Sequence, residues 1–170
     1  MTSVSPVWCG TPALEHLLVP VVELRTHPRN ARRGNVAVIA ASLSRFGQQR
    51  PIVALPTGLI VAGNHTYRAA VEHEGWTHIA VVQTDLSGEE VEAFLLADNR
   101  TGDLGTYDDH ALADLLRPKY DTDTLLGTGF DRSAVERLLT EIQWRDRFKP
   151  GDPPRPLDQA RKCPRCGATL

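Results

Sequence analysis

No acidic residue occurs between Glu23 and Glu72, although that stretch contains seven arginines. Other scarcities are broader. The 170-residue chain has three lysines, one methionine and three cysteines. Two of the cysteines, Cys163 and Cys166, sit close together at the C-terminal end, so a disulfide framework is excluded and a reducing, cytoplasmic setting is the expectation. No apolar run approaches the roughly 18–20 residues that span a bilayer, so no membrane helix is expected. The first ten residues lack a basic region followed by an apolar one, and no secretory signal is expected. With 41% hydrophobic and 24% charged residues, the composition excludes a wholly disordered or collagen-like chain. The length suits one ordinary domain with a tail rather than two substantial cores.

The net charge of −2 hides a segregation. Arg25, Arg29, Arg32, Arg33, Arg45, Arg50 and Arg68 have no local counter-charge, whereas residues 72–143 carry sixteen acids against five bases. Residues 144–170 are basic again, with seven bases and three acids. An acid-free segment cannot neutralise its guanidinium groups locally. It must pair with the acidic half of the chain or with an outside anion.

Hydrophobic patterning gives a mixed order of elements. Residues 19–24 predict a strand, and residues 27–34 a basic, turn-rich loop. Asn35 is placed to cap a helix whose Val36, Ile39, Leu43 and Phe46 recur at helical spacing before Gly47. Residues 52–55 and 59–62, separated by Pro56-Thr57-Gly58, predict a hairpin. A helix marked by Tyr67, Ala70 and Val71 follows, then a strand over 79–84. Ser87 to Glu90 and Ser133 to Glu136 both have capping-box spacing, and a shorter helix over 109–116 is expected to stop at Pro118. The expectation is an α+β fold, a small mixed sheet with packed helices followed by a helical extension. Its organisation reads as a flexible lead-in over 1–18, a domain over 19–104, the extension over 105–145 and a basic tail over 146–170.

The segment Val61-Ala62-Gly63-Asn64-His65-Thr66-Tyr67-Arg68-Ala69-Ala70 carries the clearest chemistry. Gly63 can turn the chain sharply where the strand ends, and Asn64 is placed to cap the helix. The first amides of that helix then point out of a terminus with positive dipole character, which is an anion site. His65 and Thr66 add donors, and Arg68 lies near the same face.

The order of these features resembles the ParB N-terminal domain, which shares its fold with sulfiredoxin. Carrying the resemblance are Val19-Pro20 to Leu24, His27-Pro28-Arg29-Asn30-Ala31-Arg32, Ala41-Ser42-Leu43, Phe46-Gly47 and Pro51-Ile52-Val53, followed by the 63–70 segment, Asp85-Leu86-Ser87 and Ala97-Asp98-Asn99-Arg100. It covers roughly residues 19–104 and is closest in detail to ParB-like domains of phages and those found beside DNA methyltransferases. In ParB a G-E-R-R-x-R-A-A box cradles the triphosphate of CTP, and an E-N pair helps hold magnesium and supports hydrolysis. The resemblance therefore implies phosphate or nucleotide binding at Gly63, Asn64, His65, Thr66 and Arg68. Arg32 looks like the arginine of an earlier box, and Arg50 replaces the glutamine usual before Pro51. Mg2+ with CTP or ATP is implied as cofactor, with Asn99 as metal ligand and Asp98 beside it in catalysis.

The match is uneven. Asn64, His65 and Thr66 replace Glu, Arg and Arg, and Asp98 replaces Glu. Asn64 also stands where sulfiredoxins carry their reactive cysteine, with Cys9 far outside the turn, so sulfinic acid reduction is not expected. ParB reads its DNA site through a helix-turn-helix. The expected helices over 109–116 and 133–144 are too far apart for the turn of about three or four residues which that motif uses, so sequence-specific partition binding is not expected. Non-specific DNA contact through the arginines would depend strongly on salt.

Cys163-Pro164-Arg165-Cys166-Gly167 has the form of a zinc knuckle. A closed Zn2+ site takes about four ligands, so Cys9, a histidine or another subunit must complete it. The basic tail is also a candidate contact for a protein partner, and a homodimer fits the family resemblance. Three readings are thus in play: a ParB-like DNA-associated protein binding nucleotide or nucleic-acid phosphate, a Mg2+-dependent nuclease or nucleoside triphosphatase using Asp98 and Asn99, and a non-catalytic interaction module.

Overall fold

The computed structural model describes residues 7–147. Short β-branched runs form one mixed sheet of four strands, β1 (Leu18–Pro20), β2 (Ile52–Ala54), β3 (Ile60–Ala62) and β4 (His78–Gln83), ordered β1-β4-β2-β3. β2 and β3 make the expected antiparallel hairpin, with Val53 opposite Ala62. β4 runs parallel to β2 and antiparallel to β1. The first strand is shorter than its composition suggests. Pro20 has no N–H with which to continue a ladder, and residues 21–23 fold into a 3-10 turn.

Five α-helices complete the fold: α1 (Val36–Phe46), α2 (Asn64–Glu72), α3 (Glu89–Asp103), α4 (Asp109–Asp121) and α5 (Arg132–Arg147). Asn35 caps α1 as expected, its side chain accepting from the Val38 amide, and Gly47 ends that helix. Neither capping box forms. Ser87 accepts the Glu90 amide through its carbonyl, and α3 starts behind Gly88 without a side-chain cap. At α5 the cap is Asp131, whose carboxylate accepts from the Ala134 amide at 2.7 Å and from the Ser133 hydroxyl. α4 also runs past Pro118 to Asp121, because the amide and hydroxyl of Thr122 both donate to the Pro118 carbonyl and close its last turn. With α4 ending at Asp121 and α5 starting at Arg132, residues 122–131 still form too long a connection for a helix-turn-helix.

One core joins Ala40 and Leu43 of α1 and Ala69 and Ala70 of α2 to Ile52, Ile60, Ile79 and Val81 of the sheet. Ala69 and Ala70 are wholly buried, so the α1–α2 contact is set by side chains no larger than a methyl. Trp8 packs on this core from the N-terminal side. A second, smaller cluster of Leu116, Leu125 and Val135 holds α4 to α5, with Leu112, Tyr120, Phe130, Leu138 and Leu139 around it.

One buried carboxamide ties the N-terminal segment, the sheet and the loop after α1 together. Gln48 is 1% exposed. Its Oε1 accepts from the Ala80 amide and the Trp8 indole, both at 2.8 Å, and its Nε2 donates to the carbonyls of Ala80 and Arg50. Its side chain thus replaces ladder bonds that β4 would otherwise lack there. Gln48→Leu keeps the volume but strands these partners, and is expected to lower the unfolding free energy by about 2–4 kcal/mol in urea denaturation.

Candidate functional site

The chain leaves β3 through Gly63, whose backbone is left-handed at φ +88°. A Cβ there would lie 2.5 Å from Cγ2 of Ile52 in addition to the conformational strain, so only glycine fits. Gly63, rather than Asn64, is the N-cap of α2, and it offers no side-chain acceptor. The amides of Asn64, His65 and Thr66 consequently have no acceptor among the described residues, and the Tyr67 amide is the first to bond, to the Gly63 carbonyl.

Asn64 and His65 turn to a different task. Asn64 is 6% exposed, its Oδ1 accepting from the His27 amide at 2.8 Å and its Nδ2 donating to the Ile60 carbonyl. His65 Nε2 accepts from the Gly34 amide at 2.9 Å. Together these two side chains strap both ends of the basic 27–34 loop to the start of α2. The loop is then held on its other side by α3. Arg29 pairs with Glu92, while Arg32 pairs with Asp103 at 2.8 Å and donates to the Asn99 carbonyl. Arg68 grips Glu72 through two bonds, at 2.8 and 3.0 Å, and this contact holds the Glu72 carboxyl below the usual carboxylate range.

Beside the α2 terminus lies a cavity of about 740 Å³. Its walls come from α1 (Val38, Ile39, Ser42, Phe46), the Gly47–Pro51 stretch, the start of β2, Gly63 and Thr66, Asp98 of α3, and Gly127, Thr128 and Gly129 between α4 and α5. Arg50 is the single cation and Asp98 the single carboxylate among these lining residues. The Arg50 side chain has no partner among the described residues. Its backbone is fixed, because its carbonyl accepts from Gln48.

The structure thus separates the residues singled out in the sequence. Gly63, Thr66, Arg50 and Asp98 meet at the cavity. Asn64 and His65 hold the neighbouring loop, and Arg32 and Arg68 are engaged with carboxylates. Asn99 donates to the Leu95 carbonyl one turn back and is not among the cavity's lining residues. Among the described residues no group of three or more His, Cys, Asp or Glu side chains is disposed to hold a metal. A phosphate-bridged Mg2+ is different: it takes about one or two carboxylates, with phosphate oxygens and water completing the shell. Asp98 alone meets that minimum. Cys163 and Cys166 lie outside the described residues, and Cys9 is an exposed free thiol.

Sequence reasoning missed Ser42, Gln49 and Thr128 as lining residues. Phe46, which recurs at the helical spacing of Val36, Ile39 and Leu43, has its ring 45% exposed and lines the cavity. The one available signal was Gly127-Thr128-Gly129, a glycine-flanked hydroxyl in a connection too long to be a simple turn.

No protein-family model matches the chain, and no curated protein matches it. Among solved structures, the chain is similar to the C-terminally truncated chromosome-partitioning protein ParB from Caulobacter crescentus complexed with CTP-gamma-S. The two are 21% identical, with a TM-score of 0.59, over 74% of this chain and 77% of that one. The same protein complexed to the centromeric parS site aligns at 21% identity with a TM-score of 0.42, over 74% and 71% of the two chains. The likeness to the first establishes a ParB-like fold for this chain.

The His65 strap makes the site sensitive to pH. Accepting at Nε2 requires the neutral ring with its proton on Nδ1, and burial, then Arg68 and Arg32, lowers the pKa from 6.5. The unfolded chain therefore takes up this proton first. The contribution of His65 is fully present above that ordinary value and is lost as pH falls through the lowered one. Urea midpoints of wild type and His65→Ala are expected to differ most above pH 6.5 and to converge as pH is lowered below it; a constant difference would contradict the strap.

Proposed function

We propose that this chain is a ParB-like, DNA-associated protein that binds a nucleotide or nucleic-acid phosphate at the 63–68 turn. The observation that carries the reading is the start of α2, where three amides are unclaimed and where Gly63 and Thr66 line a cavity that also holds an unpaired arginine. Oriented amides at a helix N-terminus favour oxyanions, and Arg50 and Thr66 contribute polar side chains to the lining of the same cavity. The volume suits a small ligand, since such pockets run to about 300–1,000 Å³. The ParB neighbour's complex with CTP-gamma-S supports the nucleotide form of the reading. The proposed working domain is residues 19–104 with the 105–145 extension closing one wall. Residues 7–18 pack with that domain through Trp8, Gly10 and Leu18, and the 146–170 tail with Cys163 and Cys166 would be a Zn2+ or protein-partner element. A cytoplasmic setting, a phage or methyltransferase-linked context and a homodimer belong to the same proposal.

In this reading Arg32 and Arg68 stand in reserve. Both are exposed and held by single exposed carboxylates, contacts that water screens heavily. A multiply charged phosphate can outcompete them. Titration calorimetry with CTP, ATP and a short DNA duplex, each at two salt concentrations with Mg2+, tests the site. Binding by at least one is expected, weakened about tenfold by Arg50→Ala. If none of them binds wild type, the reading falls.

A second reading is favoured by one observation, the exposed carboxylate of Asp98 in the lining of the cavity that Thr66 and Arg50 also line. We propose that Asp98 helps hold a phosphate-bound Mg2+, which would polarise the phosphoryl group and allow nuclease or nucleoside triphosphatase chemistry. The ion would supply Lewis acidity; the chain would supply the carboxylate and the amides, and solvent reaching the exposed Asp98 would supply the attacking water. Phosphate release or DNA nicking is expected to fall at least about a hundredfold in Asp98→Asn, and activity that survives would remove Asp98 from that role.

A further inference from the structure

The cavity owes one wall to the connection between α4 and α5, and a single side chain of α1 holds that wall in place. Arg45 extends across from the last turn of α1, donating to the Thr124 carbonyl at 2.8 Å and also to the Leu126 carbonyl. Its guanidinium lies over the Phe46 ring, 4.7 Å from the centroid, and Phe46 itself lines the cavity. The loop reaches α1 so closely that a Cβ on Gly127 would lie 2.9 Å from the Ala41 carbonyl and 3.1 Å from Cδ of Arg45. Gly127 has φ +78°. Two carbonyls converging on one guanidinium nitrogen, a cation stacked on the adjacent ring and a glycine with no room for a methyl form one docking joint. Immediately beyond it come Thr128 and Gly129, which with Gly127 line the cavity opposite Gly63 and Thr66.

We infer that Arg45 is a positioning residue for the ligand site, fixing the 124–129 loop so that Thr128 presents its polar groups to a bound nucleotide. Arg45 does not line the cavity and is itself committed to carbonyls, so it acts only through the loop. The Thr128 amide donates to the Leu125 carbonyl, and its hydroxyl donates to the same oxygen at 2.6 Å. The hydroxyl oxygen also accepts from the Phe130 amide at 3.3 Å, which leaves one lone pair to accept from an amino or hydroxyl group on the ligand. Both bonds leave Nη1, so a lysine ammonium could serve the carbonyls, but it lacks the planar group that stacks on Phe46. The inference rests on the nucleotide-binding reading above.

The test is a double-mutant cycle with CTP and ATP in the presence of Mg2+ as probes, read by titration calorimetry. Arg45→Ala is expected to weaken binding about fivefold, with Arg45→Lys recovering part of the loss. Thr128→Ala is expected to cost about threefold in wild type but nothing further on the Arg45→Ala background, because the loop has already left the wall. Gly127→Ala, which pushes the loop off α1 with Arg45 intact, should reproduce the Arg45→Ala loss and add nothing to it. Hydrogen exchange checks that the fold survives: amides 124–129 should exchange faster in Arg45→Ala while those of β2 and β4 stay protected. Equal affinity of wild type and Arg45→Ala, or an undiminished Thr128→Ala effect on the Arg45→Ala background, overturns this role alone. Wild type that binds neither probe overturns it together with the nucleotide reading.

Discussion

A left-handed glycine wedged against Ile52 is the constraint from which the arrangement of this protein follows. Any side chain at position 63 would collide with β2, so the chain must leave β3 at a sharp angle and enter α2 with no side-chain cap. The first three amides of α2 are thereby left unclaimed. The same turn points Asn64 inward, where it reaches the His27 amide, and sets His65 beside Gly34. One backbone constraint thus generates the unsatisfied donors and also anchors the basic loop beside them.

The segregation of charge along the chain has a physical resolution. An acid-free segment of seven arginines must find partners elsewhere, and five of them do so within the protein. Arg29, Arg32 and Arg68 reach Glu92, Asp103 and Glu72, while Arg25 and Arg45 donate to main-chain carbonyls. The structure therefore favours internal pairing for most of the segment. Arg33 and Arg50 remain without partners among the described residues. Of these two, Arg50 has a fixed position, because the buried Gln48 carboxamide holds its backbone. Its guanidinium is exposed to solvent, but it borders a cavity that the α2 terminus also reaches and has no internal carboxylate to neutralise it.

Much of the fold was legible in the sequence because local rules decided it. The hairpin at Pro56-Thr57-Gly58, the Asn35 cap and the Gly47 stop are consequences of backbone preferences that act over a few residues. Legibility failed where a competing group overrode the pattern. Pro20 ended a strand that its apolar neighbours favoured, and Thr122 allowed α4 to continue past Pro118. Asp131 took the cap for which Ser133 was spaced. At the candidate site, the glycine turn could be read from composition, but the roles of Asn64 and His65 could not. Both depend on partners more than thirty residues away. Gln48 was invisible for the same reason, since nothing local distinguishes a fully bonded buried glutamine from its exposed neighbour Gln49.

The departures from the family box then make physical sense together. Where ParB carries two arginines in the turn, this chain has His65 and Thr66, and its structure shows what the exchange accomplishes. A charged side chain at 65 could not accept the Gly34 amide, so the strap that fixes the 27–34 loop requires a neutral ring with a free lone pair. Thr66, short and polar, stays at the cavity wall without filling it. Positive charge is supplied instead from Arg50, approaching from the β2 side, and from the amides of the turn. On the proposed reading, anion affinity has moved from the side chains of one helix to the backbone of that helix and one arginine opposite. Such a site selects by geometry more than by charge, because oriented amides reward an oxyanion only where it meets them in line.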